Sequence, residues 1–146
     1  MHKYFKLTFD PVILGWAGIF PFLFSTILVL TNSEFENQAR VMGLLYSTII
    51  LCFLGSVHWG YLLVIGKTNN NFGWLWGVLT PLLAWVSLGL IVTFESHEIS
   101  SLLIIVGLIL SLIIDNKIFN AIKWYLNLRK KLTFFAIMST LINGLF

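Results

Sequence analysis

Residues 41–65 read VMGLLYSTIILCFLGSVHWGYLLVI, a stretch without one aspartate, glutamate, lysine or arginine. A bilayer core near 30 Å thick needs roughly 20 apolar residues of helix to cross it, and inside it every backbone amide and carbonyl must be satisfied within the segment. The stretch reads as a transmembrane helix, and the rest of the chain repeats the pattern. Working outward, apolar runs cover 11–31, 72–94, 99–114 and 132–146, with short polar turns between them. Of the 146 residues 58% are hydrophobic and only 10% charged, against about a quarter charged in soluble domains. Mean hydropathy is +0.92. The expected fold is an all-α membrane protein, a compact bundle of five transmembrane helices forming one integral membrane domain over 1–146.

Local signals agree. Asp10 and Pro11 open the first span as N-cap and first-turn residue, a position where proline's missing amide costs nothing. Pro21 and Pro81 should kink the first and third spans. The turn around Lys67 holds three consecutive asparagines, which no membrane interior accepts. Trp74 and Trp76 begin the third span, where aromatic rings prefer the interface. Over 117–128, Asn120, Lys123 and Asn127 alternate with Phe119, Ile122 and Leu126, the pattern of an amphipathic helix lying in the headgroup layer. The last run, 132–146, is short for a crossing at 1.5 Å per residue. The first run is too long for a signal peptide and lacks a cleavage site, so it reads as a permanent anchor.

Orientation follows from charge. With five crossings, Lys3, Lys6, Lys67, Lys117, Lys123, Arg129, Lys130 and Lys131 share one side and only Arg40 lies on the other. The positive-inside rule places the N-terminus and the basic loops in the cytoplasm. The net charge of +3 is thus a topology signal attracted to an anionic leaflet, not a nucleic-acid patch. The partner to expect is the lipid bilayer.

Chemistry-bearing residues are few. His58 stands inside the second span, and an ionisable group at such depth faces the bundle interior as a functional candidate. It would ligate haem iron, bond a quinone carbonyl or relay a proton; the plainer alternative is a hydrogen bond to a neighbouring helix. Trp59, Trp85 and Trp16 would line a cofactor cavity with it, or pack as buried indoles. Asp115 would cap the fourth helix or pair with Lys117. Glu95, His97 and Glu98 give a weak cation set against an ordinary acidic turn. Thr48, Cys52, Ser56 and Gly60 recur every four residues, a small-residue stripe for packing within the bundle or for self-association with other membrane proteins. His58 lies on another side of that helix. Cys52 is the sole cysteine, so no intrachain disulfide forms. No phosphate-binding glycine loop, zinc helix or nucleophile elbow occurs, which leans away from an enzyme and points to no metal.

The segments Gly15 to Phe22 (GWAGIFPF), Phe53 to Gly60 (FLGSVHWG) and Thr80 to Trp85 (TPLLAW), together with Asp115, Trp124-Tyr125, Leu128-Arg129 and Leu132-Thr133, resemble transmembrane protein 69 and its bacterial relatives, a family of unknown function. The resemblance spans nearly the whole chain and is most specific in the FLGxxHWG element. It implies a compact five-helix protein of bacterial inner or mitochondrial inner membranes, and it carries over no catalytic residues. Where that family has a proline before the Trp-Tyr pair, this chain has Ala121, Ile122 and Lys123, which should leave the surface helix uninterrupted. The leading expectation is a non-enzymatic accessory or scaffold protein of an energy-transducing membrane, placed in the bacterial inner membrane. The alternatives are a haem- or quinone-binding protein using His58, and a small oligomeric transporter or channel.

Overall fold

The computed structural model describes residues 10–31, 34–66 and 71–146. His2, Lys3, Lys6 and Lys67 lie outside the described residues. Among those described there are six helices and no strand: α1 (Pro11–Ala17), α2 (Phe20–Leu30), α3 (Glu36–Val64), α4 (Asn71–Phe94), α5 (His97–Ile118) and α6 (Lys123–Leu145). The fold is an all-helical bundle, and four of its rods are long and apolar enough to cross a membrane: Pro11–Leu30, Glu36–Val64, Phe72–Phe94 and His97–Ile118.

The first rod is α1 and α2 joined by a kink. Asp10 caps it, accepting from the Val12 amide at 2.8 Å, and Pro11 fills the first turn. The break falls at Gly18 and Ile19, just before Pro21, where proline cannot supply an amide to the preceding turn. The Tyr46 hydroxyl on α3 donates to the carbonyl of Gly18 at 2.9 Å, so the kink is held by a neighbouring helix. Pro81 behaves differently, since α4 runs through it unbroken.

α3 begins five residues before the apolar run, because Glu36 and Arg40 form an i,i+4 pair at 3.0 Å with the carboxylate in the first turn, where the helix dipole favours it. It ends in a turn at Gly66, whose φ of 64° is the left-handed geometry that glycine takes without strain. α3 is the central rod and touches α2, α4, α5 and α6.

Helices in lipid gain little from the hydrophobic effect and associate through close packing and interhelical polar contacts. Both are visible. Gly55 on α3 meets Thr80 and the carbonyl of Gly77 on α4 so closely that a methyl group at Gly55 would collide with Thr80, and Gly107 on α5 admits the side chain of Leu51. Ile19, Phe22, Leu51, Leu54, Ile104 and Leu108 fill the centre. Towards the C-terminal end of α6 a hydroxyl network replaces them. Ser139 donates to the carbonyl of Phe22 at 3.0 Å, Thr26 and Ser139 share a bond of 2.6 Å, Ser47 and Thr140 one of 2.9 Å, and the Asn143 amide donates to Ser25 at 3.0 Å.

Three expectations change. There is no separate helix over 117–128: α5 continues to Ile118, the chain turns over 119–122, and α6 starts at Lys123. The turn forms without a proline: Phe119 tucks into the bundle at 3% exposure, and its amide closes α5 on the carbonyl of Asp115 at 2.8 Å. The closing run is accordingly longer than 132–146. At 23 residues and 1.5 Å per residue α6 is about 34 Å long, running antiparallel beside α5 from Asp115 at one end to Ser101 at the other, where Gly144 meets it. Finally, Trp76 is buried at 5% exposure and its indole N–H points to Ser111 on α5 at 3.3 Å, so it belongs to the α4/α5 contact and not to an interfacial belt.

Candidate functional site

His58 is fully buried on α3, and the residue it meets is Asp115 in the last turn of α5, with Nε2 2.8 Å from Oδ1. The contact does not have the geometry of an aligned hydrogen bond from the ring N–H, and it is an ion pair only when the imidazole carries a proton. The other carboxylate oxygen of Asp115 accepts from Nε of Arg129, on the second turn of α6, also at 2.8 Å. The three side chains therefore tie α3, α5 and α6 together inside the bundle. Asp115 pairs here with Arg129 and His58, not with Lys117. Arg129 leaves the basic interface cluster to do so, while Lys130 and Lys131 remain exposed.

Local sequence explains the placement. The turn over 119–122 reverses the chain just after Asp115, which returns Arg129 to the level of the carboxylate. Phe119 roofs the site: its ring lies 5.5 Å from the His58 imidazole, 4.8 Å from Tyr61 and 5.1 Å from Tyr125. This aromatic cover helps to bury the triad, and burial strengthens every charge interaction beneath it. Tyr125 is near enough for the charges of Asp115 and Arg129 to act on its hydroxyl.

Asp115 and Arg129 cancel, so the triad is neutral with a neutral imidazole and carries one positive charge with a protonated one. Taking such groups out of water costs several kcal/mol per ion, which only mutual attraction and hydrogen bonds offset. The compensation is incomplete. Nδ1 of His58 and Nη2 of Arg129 are buried without a hydrogen-bond partner, as is Oγ1 of Thr133, one turn further along α6.

Arg129 and Thr133 also form part of the wall of a cavity of about 410 Å³ between the first rod, α3 and α6, whose other walls are almost wholly apolar and include Leu14, Ile19, Phe53 and Leu132. His58 does not line it. It reaches the cavity only through Asp115 and Arg129.

The four residues that sequence singled out are not gathered around one space. Trp59 donates its indole N–H to the carbonyl of Trp74 on α4 at 2.9 Å. Trp16 stands edge-on to Phe135 of α6 at 5.7 Å. Trp85 is 71% exposed on the outer face of α4, so it is an outward-facing ring and not a buried packing indole. Of the small-residue stripe, Thr48 is buried and Cys52 half-buried, while Ser56 and Gly60 lie on the outer surface, Gly60 in open space. Among the described residues no group of three histidine, cysteine or carboxylate side chains converges to hold a metal ion. What sequence reading missed is the partnership of His58 with Asp115 and Arg129. The available signal was charge: opposite signs either side of a turn, next to an apolar helix holding a lone imidazole.

No curated protein and no solved structure matches the chain. The family described as "Protein of unknown function (DUF3429)" matches residues 8–145. A match over almost the entire length, on a bundle of apolar helices joined through a buried His–Asp–Arg triad, places this chain in the DUF3429 family.

Proposed function

We propose that the chain is a non-enzymatic accessory protein of an energy-transducing membrane, with the His58–Asp115–Arg129 triad as its working part. The observation that carries this reading is the burial of three ionisable side chains across three helices, His58 and Asp115 almost completely and Arg129 to 7% exposure. Buried ion pairs are poor stabilisers compared with apolar packing, and ionisable groups at membrane depth mark proton and ligand pathways. The basic-residue asymmetry supports a cytoplasmic N-terminus in a bacterial inner membrane, and the likeness to transmembrane protein 69 supplies the mitochondrial inner membrane as the alternative. Association with other membrane proteins or with a second copy would use the outward Ser56 and Gly60 end of the stripe on α3. Purification of the natively expressed chain in mild detergent tests the accessory role. Stable co-purifying membrane proteins, lost with Asp115→Asn, are expected, and a chain that emerges alone removes the reading.

A second reading is the haem or quinone site that the sequence suggests at His58, whose Nδ1 has no hydrogen-bond partner but is enclosed by the bundle, so that either ligand would need the surrounding helices to part. An absorption spectrum and lipid extract of the wild type beside His58→Ala decide it, a colourless and quinone-free protein counting against it.

A further inference from the structure

One guanidinium and one imidazole converge on a single carboxylate, and only the guanidinium holds it. Nε of Arg129 donates to Oδ2 of Asp115 at 2.8 Å. Nε2 of His58 is as close to Oδ1, yet neither ring nitrogen makes a hydrogen bond. A buried polar group without a hydrogen bond is costly, so the arrangement satisfies Arg129 at the expense of His58.

A proton would reverse that preference. It needs no cavity, since brief local openings bring water to a buried imidazole, and imidazole is the side chain whose charge ordinarily changes between about pH 5 and 8. With His58 protonated the triad would hold two cations and one anion away from water, and the surplus charge is the costly part. No other acid on the surrounding elements balances it. The first rod, 11–30, and α4, 71–94, contain no titratable residue, while Asp10 is exposed and bonded to the Val12 amide. Glu36 and Glu98 open α3 and α5, at the ends remote from His58 and Asp115. Tyr61 and Tyr125 only flank Phe119 over the site, Lys117 lines an outer groove with Ile65 and Phe72, and Lys123, Lys130 and Lys131 are exposed. The surplus therefore has one exit. His58 and Asp115 stand at 0% and 1% exposure and Arg129 at 7%, on a long stem near the basic end of α6, from which arginine reaches an interface by snorkelling.

We propose that the triad is an acid-triggered catch: a proton on His58 lets the imidazolium replace Arg129 on Asp115, and the freed guanidinium moves out to the basic end of α6. One proton is taken up from water and the buried charge stays balanced. α6 remains tied at its other end through Ser139, Thr140 and Asn143, so only its basic half loosens from α5. The inference rests on taking the triad as the working part of the protein and names what regulates it.

Full-length protein labelled with 15N-arginine and 15N-histidine in dodecylphosphocholine micelles, titrated from about pH 8 to about pH 5, tests the exchange by nuclear magnetic resonance. Arg40→Lys tells the signals of the chain's arginines, Arg40 and Arg129, apart. At the alkaline end the Nε–H signal of Arg129 should stand away from that of free arginine, as a bonded group does, and on acidification it should move onto it while the ring signals of His58 change at the same pH. The released state holds one more proton, so its share should rise by up to about tenfold per pH unit as pH falls. His97→Gln should leave the transition in place, and His58→Gln should abolish it with Arg129 held throughout. An Arg129 signal that does not move, one that matches free arginine at every pH, a transition at a pH where the His58 ring is unchanged, or one that persists in His58→Gln, as protonation of Asp115 itself would give, would each overturn the proposal. A flat titration leaves the accessory role to co-purification at neutral pH, whereas a chain that emerges alone and still titrates in this way loses that role and keeps the catch.

Discussion

Replacing Arg129 by methionine keeps the unbranched stem of the side chain as far as the position of Nε and removes the guanidinium with its charge, which tests the electrostatic part of the triad. In the wild type the guanidinium Nε stands 2.8 Å from Oδ2 of Asp115, with the two side chains 9% and 1% exposed. Charges about 4 Å apart at an effective dielectric near 20 attract by about 4 kcal/mol, and the hydrogen bond to a charged partner adds about 1.5–3 kcal/mol. Against this stands the relief of no longer burying the guanidinium. The expected net cost is about 3–5 kcal/mol, the usual result of leaving one member of a buried pair uncompensated. Reversible unfolding in mixed dodecyl sulfate and maltoside micelles, followed by circular dichroism, measures it. The double variant Asp115→Leu with Arg129→Met removes both charges and should recover to within about 2 kcal/mol of the wild type, since apolar replacements of buried pairs are near neutral. A single-variant cost below about 1 kcal/mol, or a double variant as unstable as the sum of the two singles, would refute the claim that the pair is desolvated inside the bundle.

Gly55→Ala should cost about 1–3 kcal/mol through overpacking, because the added methyl meets Thr80 and the Gly77 carbonyl; the same change at Gly60, which faces open space, should leave unfolding of the isolated protein unchanged. Trp59→Phe loses the bond to the Trp74 carbonyl and should lower stability by about 1 kcal/mol in the same assay. In a Cys52→Ser background, Glu36→Cys and Lys67→Cys should be labelled from opposite faces of sealed vesicles; labelling from one face would sink the five-crossing topology.

The membrane class, the first four rods and the Pro21 kink were legible because bilayer thickness, backbone satisfaction and proline geometry act on contiguous residues. The fate of α6 was not. Read alone, Arg129-Lys130-Lys131 marks an interface, and only the acceptor on another helix draws Arg129 inward while its two neighbours stay out. Trp76 misled for a related reason: its position in the span suits a belt, but Ser111 lies across from its indole N–H. His58 was identified from depth alone, while its partners are remote in sequence and stand at helix ends, where charged residues are ordinarily solvated. The stripe on α3 shows the same limit, since spacing gives the face but not what covers it.

The uneven character of α6 bears on how the protein is made. Its inner face carries Thr133, Ser139, Thr140 and Asn143, and its first turns carry four cations, Lys123, Arg129, Lys130 and Lys131. The first four rods are apolar enough to enter lipid on their own merits, whereas this last one is not among the spans that length and hydropathy select. It acquires its place from what is already there: the Phe22 carbonyl, Ser25, Ser47 and Asp115. The place of α6 in the bundle thus rests on its polar partners on the other helices more than on its own apolarity.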